Sequence, residues 1–231
     1  MFVEQQSRLK PIMADTLTIA NLIIEAERFC IQESTYQNLN LYGVTDGKAV
    51  GTSIEQKFKK HLSQTHTFLT GNSANGIDLP DEHILTDIKV TSFRKPQSSS
   101  PFKSARQKIY GLGHNLLLFV YDKSDDSITK TALLQFVSCS FIDKTRTADY
   151  STTYRILRML TDGANEEDIA AYLLDRNIPA EDIQLAQLAH DITAHPPDQG
   201  YLTISNALQW RLQYGRIVSL AGTVEGITKI I

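Results

Sequence analysis

The sequence predicts an α/β protein, and three neighbouring segments carry that prediction. "ILTDIKVTSF" (residues 84–93) alternates and is rich in β-branched residues, the pattern of a strand. "SARQKIYGLG" (104–113) reads as a short helix closed by glycine. "NLLLFVYD" (115–122) is an unbroken apolar run, as expected of a strand covered on both faces. Strand, helix, buried strand is the order of a βαβ unit.

The other elements follow in chain order. Residues 15–35 place Leu17, Ala20, Ile23, Ile24 and Phe29 at helical spacing and predict an amphipathic helix. "LYGVTDGKAV" (41–50) reads as a turn-rich connector. "SIEQKFKKHLSQ" (53–64) sets Ile54, Phe58 and Leu62 four apart, predicting a second helix that carries Glu55, with Ser53 as N-cap. "GNSANG" (71–76) is loop chemistry. "IDLP" (77–80) is short and extended, because the residue before proline avoids the helical region. "RKPQSSSPFKS" (94–104) reads as a loop and "KTALLQFVSCSFI" (130–142) as a further strand. Beyond about residue 145 four segments show helical periodicity: 147–160, 165–176, 179–192 and 204–217. Pro196 and Pro197 mark a late boundary, and "RIVSLAG" (216–222) reads as a closing strand. The predicted organisation is a core over 1–144 and a mainly helical subdomain over 145–231.

The net charge of −3 argues against a non-specific nucleic-acid coat but leaves room for a local basic site. From Ile88 to Tyr121 there is no acid, and the same window holds Lys89, Arg94, Lys95, Lys103, Arg106 and Lys108. Cys30 and Cys139 lie in apolar contexts and read as buried thiols of a cytosolic protein. No apolar run approaches the roughly 18 residues of a membrane helix. The N-terminus, with Glu4, does not resemble a signal peptide. A cytoplasmic protein without membrane contact is expected. The histidines have no metal-ligand spacing. No P-loop, dinucleotide fingerprint or serine-nucleophile elbow is present.

The candidate chemistry lies at Asp78, Asp87 and Lys89. Residues two apart on a strand share a face, so Asp87 and Lys89 stand side by side while Ile88 and Val90 face the core. An acid and a lysine there are costly to bury unless paired or bound to something. Asp78, on the preceding short strand, can reach the same edge. Two carboxylates suit a hard divalent cation such as Mg2+. A lysine beside them can orient a water or add charge to a pentavalent phosphorus. Glu55 could supply a further carboxylate, or simply pair with Lys59 at i+4 on its own helix.

Asp78 followed by Asp87-Ile88-Lys89 resembles the PD-(D/E)xK nuclease signature of type II restriction endonucleases, over about residues 48–142. Ile77 stands where the signature has its proline. The resemblance implies a restriction-endonuclease-like core with a central mixed β-sheet flanked by helices. It further implies a Mg2+-dependent endonuclease that cuts double-stranded DNA at a short specific sequence. Asp78 and Asp87 would be the metal ligands, Lys89 would position the attacking water and Glu55 would assist. Arg94, Lys95, Gln97, Ser98, Lys103, Arg106 and Gln107 would meet DNA, since such side chains bond phosphates and base edges. A palindromic site implies a homodimer. The 145–231 subdomain would then serve DNA binding or dimerisation. A repair or junction nuclease on the same core, and a non-catalytic DNA-binding regulator, are the alternatives.

Overall fold

The computed structural model describes residues 14–71, 76–100, 103–205 and 210–231, with the side chain of Trp210 left aside. The extreme N-terminus, most of the "GNSANG" loop and residues 206–209 of the expected last helix lie outside these.

The centre is a mixed five-stranded sheet. β4 (Thr86–Ser92) runs parallel to β6 (Asn115–Asp126), with α3 (Arg106–Tyr110) between them, as the βαβ reading expected. β7 (Thr131–Ile142) returns antiparallel to β6, with a bulge after Val120 that leaves Val137 unpaired across the ladder. β2 (Gln37–Asn38) and β10 (Ile227–Lys229) both pair antiparallel with β7, at its opposite ends. β4 is therefore an edge strand of the sheet. A parallel two-residue ladder joins β1 (Asp15–Thr16) to β3 (His66–Thr67).

α1 (Ile19–Glu33) and α2 (Gly47–Leu62) cover one face. α2 buries Val50, Ile54, Phe58 and Leu62, one residue per turn. Its N-cap is Asp46, which accepts a hydrogen bond from the Lys48 N–H at 3.0 Å. Two expectations are corrected here: the helix starts inside the expected connector, and Ser53 is an interior residue rather than a cap. A capping side chain followed by Gly47-Lys48-Ala49 outweighs the turn composition. Phe29, Phe58, Phe119 and Phe136 pack edge to face at the centre of this layer.

The other face is covered differently from expectation. α4 (Tyr150–Thr161), α5 (Glu166–Asp175) and α6 (Asp182–Ala194) form as the periodicity predicts. Glu166, Glu167 and Asp168 occupy the first turn of α5, where Asn165 and Asp168 close a capping box. Among the described residues of 204–214 the fourth helix does not form. β8 (Thr203–Ile204) and β9 (Trp210–Gln213) stand in its place, and β9 pairs with β5 (Gln97–Ser100) inside the segment expected to be a loop. Leu212 and Tyr214 are fully buried, two apart as on a strand, against Leu116 and Leu118 of β6. The expected closing strand at 216–222 is instead α7 (Gly215–Leu220), and β10 follows it.

Cys30 and Cys139 are buried free thiols, as expected. Burial beside Cys30 pushes the Cys139 thiol well up. Among the described residues no helix is long and apolar enough to cross a membrane.

Candidate functional site

Three acids and two lysines converge on the outer edge of β4, and each arrives for a local reason. Leu79 forms an antiparallel bridge to Thr86, so the chain around Asp78 runs alongside β4. The next outward-facing N–H of β4, that of Ile88, donates to Asp78 Oδ2 at 2.9 Å. Gly71 makes this close approach possible. Its N–H donates to the Asp78 carbonyl at 2.9 Å, and a Cβ there would lie 1.7 Å from the Ile77 carbonyl oxygen. Glu55 and Lys59 each follow a buried residue of α2, Ile54 and Phe58, so they flank the apolar stripe and overhang the same edge. Lys59 Nζ donates to Glu55 Oε1 at 2.8 Å and to Asp78 Oδ1 at 2.6 Å. On the other face of β4, Lys89 Nζ sits 2.6 Å from Asp87 Oδ2. The result is an open cleft of about 300 Å3 lined by Glu55, Lys59, Gly71, Asp78, Asp87 and Lys89. A larger hollow, about 540 Å3, lies between the start of α3 and α6, and its one acid, Asp191, is already paired with Arg106.

The electrostatics show an acidic cluster short of positive charge. Burial pushes the Asp87 carboxyl up to about 7, helped by Asp78 and opposed by Lys89. Burial also raises Glu55, with Asp78 adding to it against the pull of Lys59. At Asp78 burial is outweighed by hydrogen bonds from Asp87, Lys59 and the Ile88 N–H, so its carboxyl is held low. Of the two aspartates, Asp78 is the readier anion and Asp87 the readier to take up a proton. A divalent cation bound by oxygen would favour the ionised form of both. The donor set is two aspartates rather than a cage. Among the described residues no group of three His, Cys, Asp or Glu side chains is arranged to hold a metal.

Two participants were not singled out for the site by sequence reasoning. Lys59 was visible only as an i+4 partner of Glu55, and the fold adds Asp78 to its contacts. His114 had no motif at all. It lies two residues before Leu116, the register partner of Asp87 in the parallel β4–β6 pair, and so shares the Asp87 face. Its side chain is 7% exposed and its Nε2, without a hydrogen-bond partner, is 3.8 Å from Asp87 Oδ2. Burial, then Lys89 and Lys103, depress its pKa to about 4. A histidine kept neutral in the fold but protonated in the unfolded chain costs stability as pH falls from about 6.5 to 4. His114→Asn is expected to remove this slope, worth about 3 kcal/mol at pH 4. Urea unfolding of both proteins at pH 4.5, 5.5 and 7 checks it; parallel pH profiles would refute it.

The expected DNA-facing residues divide into separate groups. Arg94 and Lys95 are exposed beyond the far end of β4. Gln97 and Ser98 lie on β5, where the Ser98 hydroxyl is bonded to Tyr214 Oη at 2.5 Å. Lys103 is exposed, and Gln107 Oε1 accepts from its N–H at 3.2 Å. Arg106 pairs with Asp191 and lies over the Tyr110 ring. Lys108 is a correction to the basic window. It is buried, and its Nζ donates to the Ile204 carbonyl at 2.7 Å. A window without acids in sequence is thus not without acids in space, because α6 brings Asp191 to it.

Comparison with known proteins bears on this geometry. A family model described as "Type II restriction enzyme NspV" matches residues 16–229. The curated "Type II restriction enzyme NspV" of Nostoc sp. (strain ATCC 29411 / PCC 7524) is 52% identical over 214 residues, covering 93% of this chain and 96% of its own. No solved structure matches.

Proposed function

Because the chain belongs to the NspV family of type II restriction enzymes, we propose that it is a Mg2+-dependent endonuclease hydrolysing double-stranded DNA at a short specific sequence. The observation that carries this reading is the pair Asp78–Asp87 at the edge of β4, with Lys89 bonded to Asp87. Mg2+ is typically held by one or two carboxylates, the rest of its shell being water and phosphate oxygen, which fits a two-aspartate donor set in an open cleft. When bound, the ion polarises the phosphate, neutralises charge and lowers the pKa of a water.

Asp78 and Asp87 would hold the ion. The Ile88 N–H fixes the orientation of Asp78, so its carboxylate is preset rather than recruited. Lys89, held beside Asp87, would orient the attacking water and add charge at phosphorus. Glu55 would assist from α2. Of the basic groups, exposed Arg94, Lys95 and Lys103 would contact phosphates. Arg106 would do so after exchanging Asp191 for DNA. Gln97, Ser98 and Gln107 would lie along the same surface. Such contacts make binding fall steeply with salt. A homodimer would match two-fold symmetry of the site, with the 145–231 region contributing to DNA binding or to the dimer contact. The cytoplasm is the proposed location.

The test is cleavage of long double-stranded DNA with Mg2+ and with chelator. Discrete fragments in Mg2+ and intact DNA in chelator are expected. A smear would remove the sequence specificity from this reading, and intact DNA in Mg2+ on several unmethylated templates would overturn it.

A further inference from the structure

The mechanism above leaves one half-buried ammonium without a task. Lys59 reaches the cleft from α2, and its side chain is 18% exposed. Asp78 has both oxygens engaged: Oδ2 by the Ile88 N–H, Oδ1 by Lys59. The Ile88 N–H belongs to the backbone of β4 and stays in place as long as the strand does. Oδ1 is therefore the oxygen open to exchange, and Lys59 sits on it. An ammonium at 2.6 Å and a divalent ion at the roughly 2.1 Å typical of Mg2+–oxygen contacts cannot share that oxygen without strong repulsion.

We infer that Lys59 is a built-in counter-ion that occupies the metal-binding oxygen of Asp78 until a metal displaces it, and that its ammonium then contacts the scissile phosphate. The inference rests on Asp78 and Asp87 being the metal ligands. Its second support is Glu55. That carboxylate holds Lys59 at 2.8 Å, so the displaced ammonium keeps one partner and stays in the cleft on its flexible four-carbon stem. Glu55 thereby acts as the tether of Lys59, a positioning residue. Charge supports the same picture. Three carboxylates against two ammoniums leave one negative charge in the metal-free cleft. Adding a dication to that balance while Lys59 remains on Asp78 would leave the site overcharged. Incoming phosphate is the group that compensates, and it arrives where the displaced ammonium points, the open side of the cleft. Lys59 would thus couple metal entry to substrate entry, weakening metal binding without DNA and strengthening the hold on phosphate when both are present.

The experiment is calorimetric titration of the DNA-free protein with Mg2+ alone, on wild type, Lys59→Met and Asp78→Asn. Lys59→Met is expected to bind Mg2+ at least about tenfold more tightly than wild type. Single-turnover cleavage at saturating Mg2+ should fall about 10- to 100-fold in the same variant. Equal or weaker Mg2+ binding by Lys59→Met would overturn the counter-ion role, and unchanged cleavage at saturation would overturn the phosphate contact. Asp78→Asn separates this inference from the reading beneath it. If that variant binds Mg2+ like wild type, Asp78 is not a ligand and the site assignment fails whatever Lys59 does. Thermal unfolding confirms the fold of each variant, and Lys59→Gln repeats the measurement if the methionine variant is not folded.

Discussion

Asp87→Asn is expected to lose cleavage of double-stranded DNA by about 1,000-fold or more while keeping its affinity for DNA. The proposed metal contact contributes several kcal/mol of charge stabilisation in the transition state, at about 1.4 kcal/mol per tenfold in rate. The amide is isosteric with the acid but offers neither the charge nor the second anionic oxygen. It also leaves the exposed phosphate-contacting residues untouched and adds no negative charge to the cleft, so metal-free binding should be equal or tighter. Single-turnover cleavage beside gel-shift binding is the measurement, and a rate within tenfold of wild type would sink the assignment. The substitution carries a stability signature as well. In the fold Asp87 titrates at about 7, above the 3.8 of an ordinary aspartate. The folded state therefore holds more protons than the unfolded chain between those values. The stability this group contributes is full below about 4 and is lost as pH rises through 7. Metal-free Asp87→Asn should lack that loss, which distinguishes a relieved site from a damaged fold.

Phe119→Ala is expected to be the most destabilising single truncation near the site, by about 3–5 kcal/mol. Phe119 is fully buried on β6, with ring centroids 5.0 Å from Phe58, 5.6 Å from Phe136 and 5.8 Å from Phe29. It is the register partner of Val90, so it lies beneath the junction of β4 and α2. At about 2–4 °C per kcal/mol for a domain of this size, the melting temperature should drop by roughly 6–20 °C. Ile128, 90% exposed in the β6–β7 turn, supplies the comparison. Ile128→Ala should change stability by no more than about 0.5 kcal/mol. A loss below about 1 kcal/mol for Phe119→Ala would mean that the aromatic cluster does not hold the two layers together. The cluster also bears on function, because Glu55 and Lys59 reach Asp78 only while α2 keeps its height above β4.

The parts legible in sequence were those specified by local pattern. The parallel β4–β6 pair followed from an alternating run, a glycine-closed helix and an apolar run. Asp87 and Lys89 on one face of β4 followed from the two-residue period alone. The misreadings came where two periods competed. Residues 204–217 satisfy a helical spacing through Ile204, Leu208 and Leu212, yet Trp210, Leu212 and Tyr214 also alternate as on a strand. β5 and the apolar face of β6 settle that choice, and both are distant in the chain. β5 itself, "QSSS", has no apolar pattern and exists as a strand through its pairing with β9.

By itself, then, the sequence determined the α/β class, the helices α1 and α4–α6, and the acid–lysine strand with Asp78 ahead of it, because each depends on residues within a few positions of one another. Only the tertiary structure decided that Lys59 bridges Glu55 to Asp78, that His114 faces Asp87, that Arg106 meets Asp191, and that Lys108 is buried. These are contacts across separate elements, set by strand register and by which side of the sheet each helix covers. Salt screens charges more than about 10 Å apart, and strong pairing needs contact, so these partners exist only once packing has brought them together.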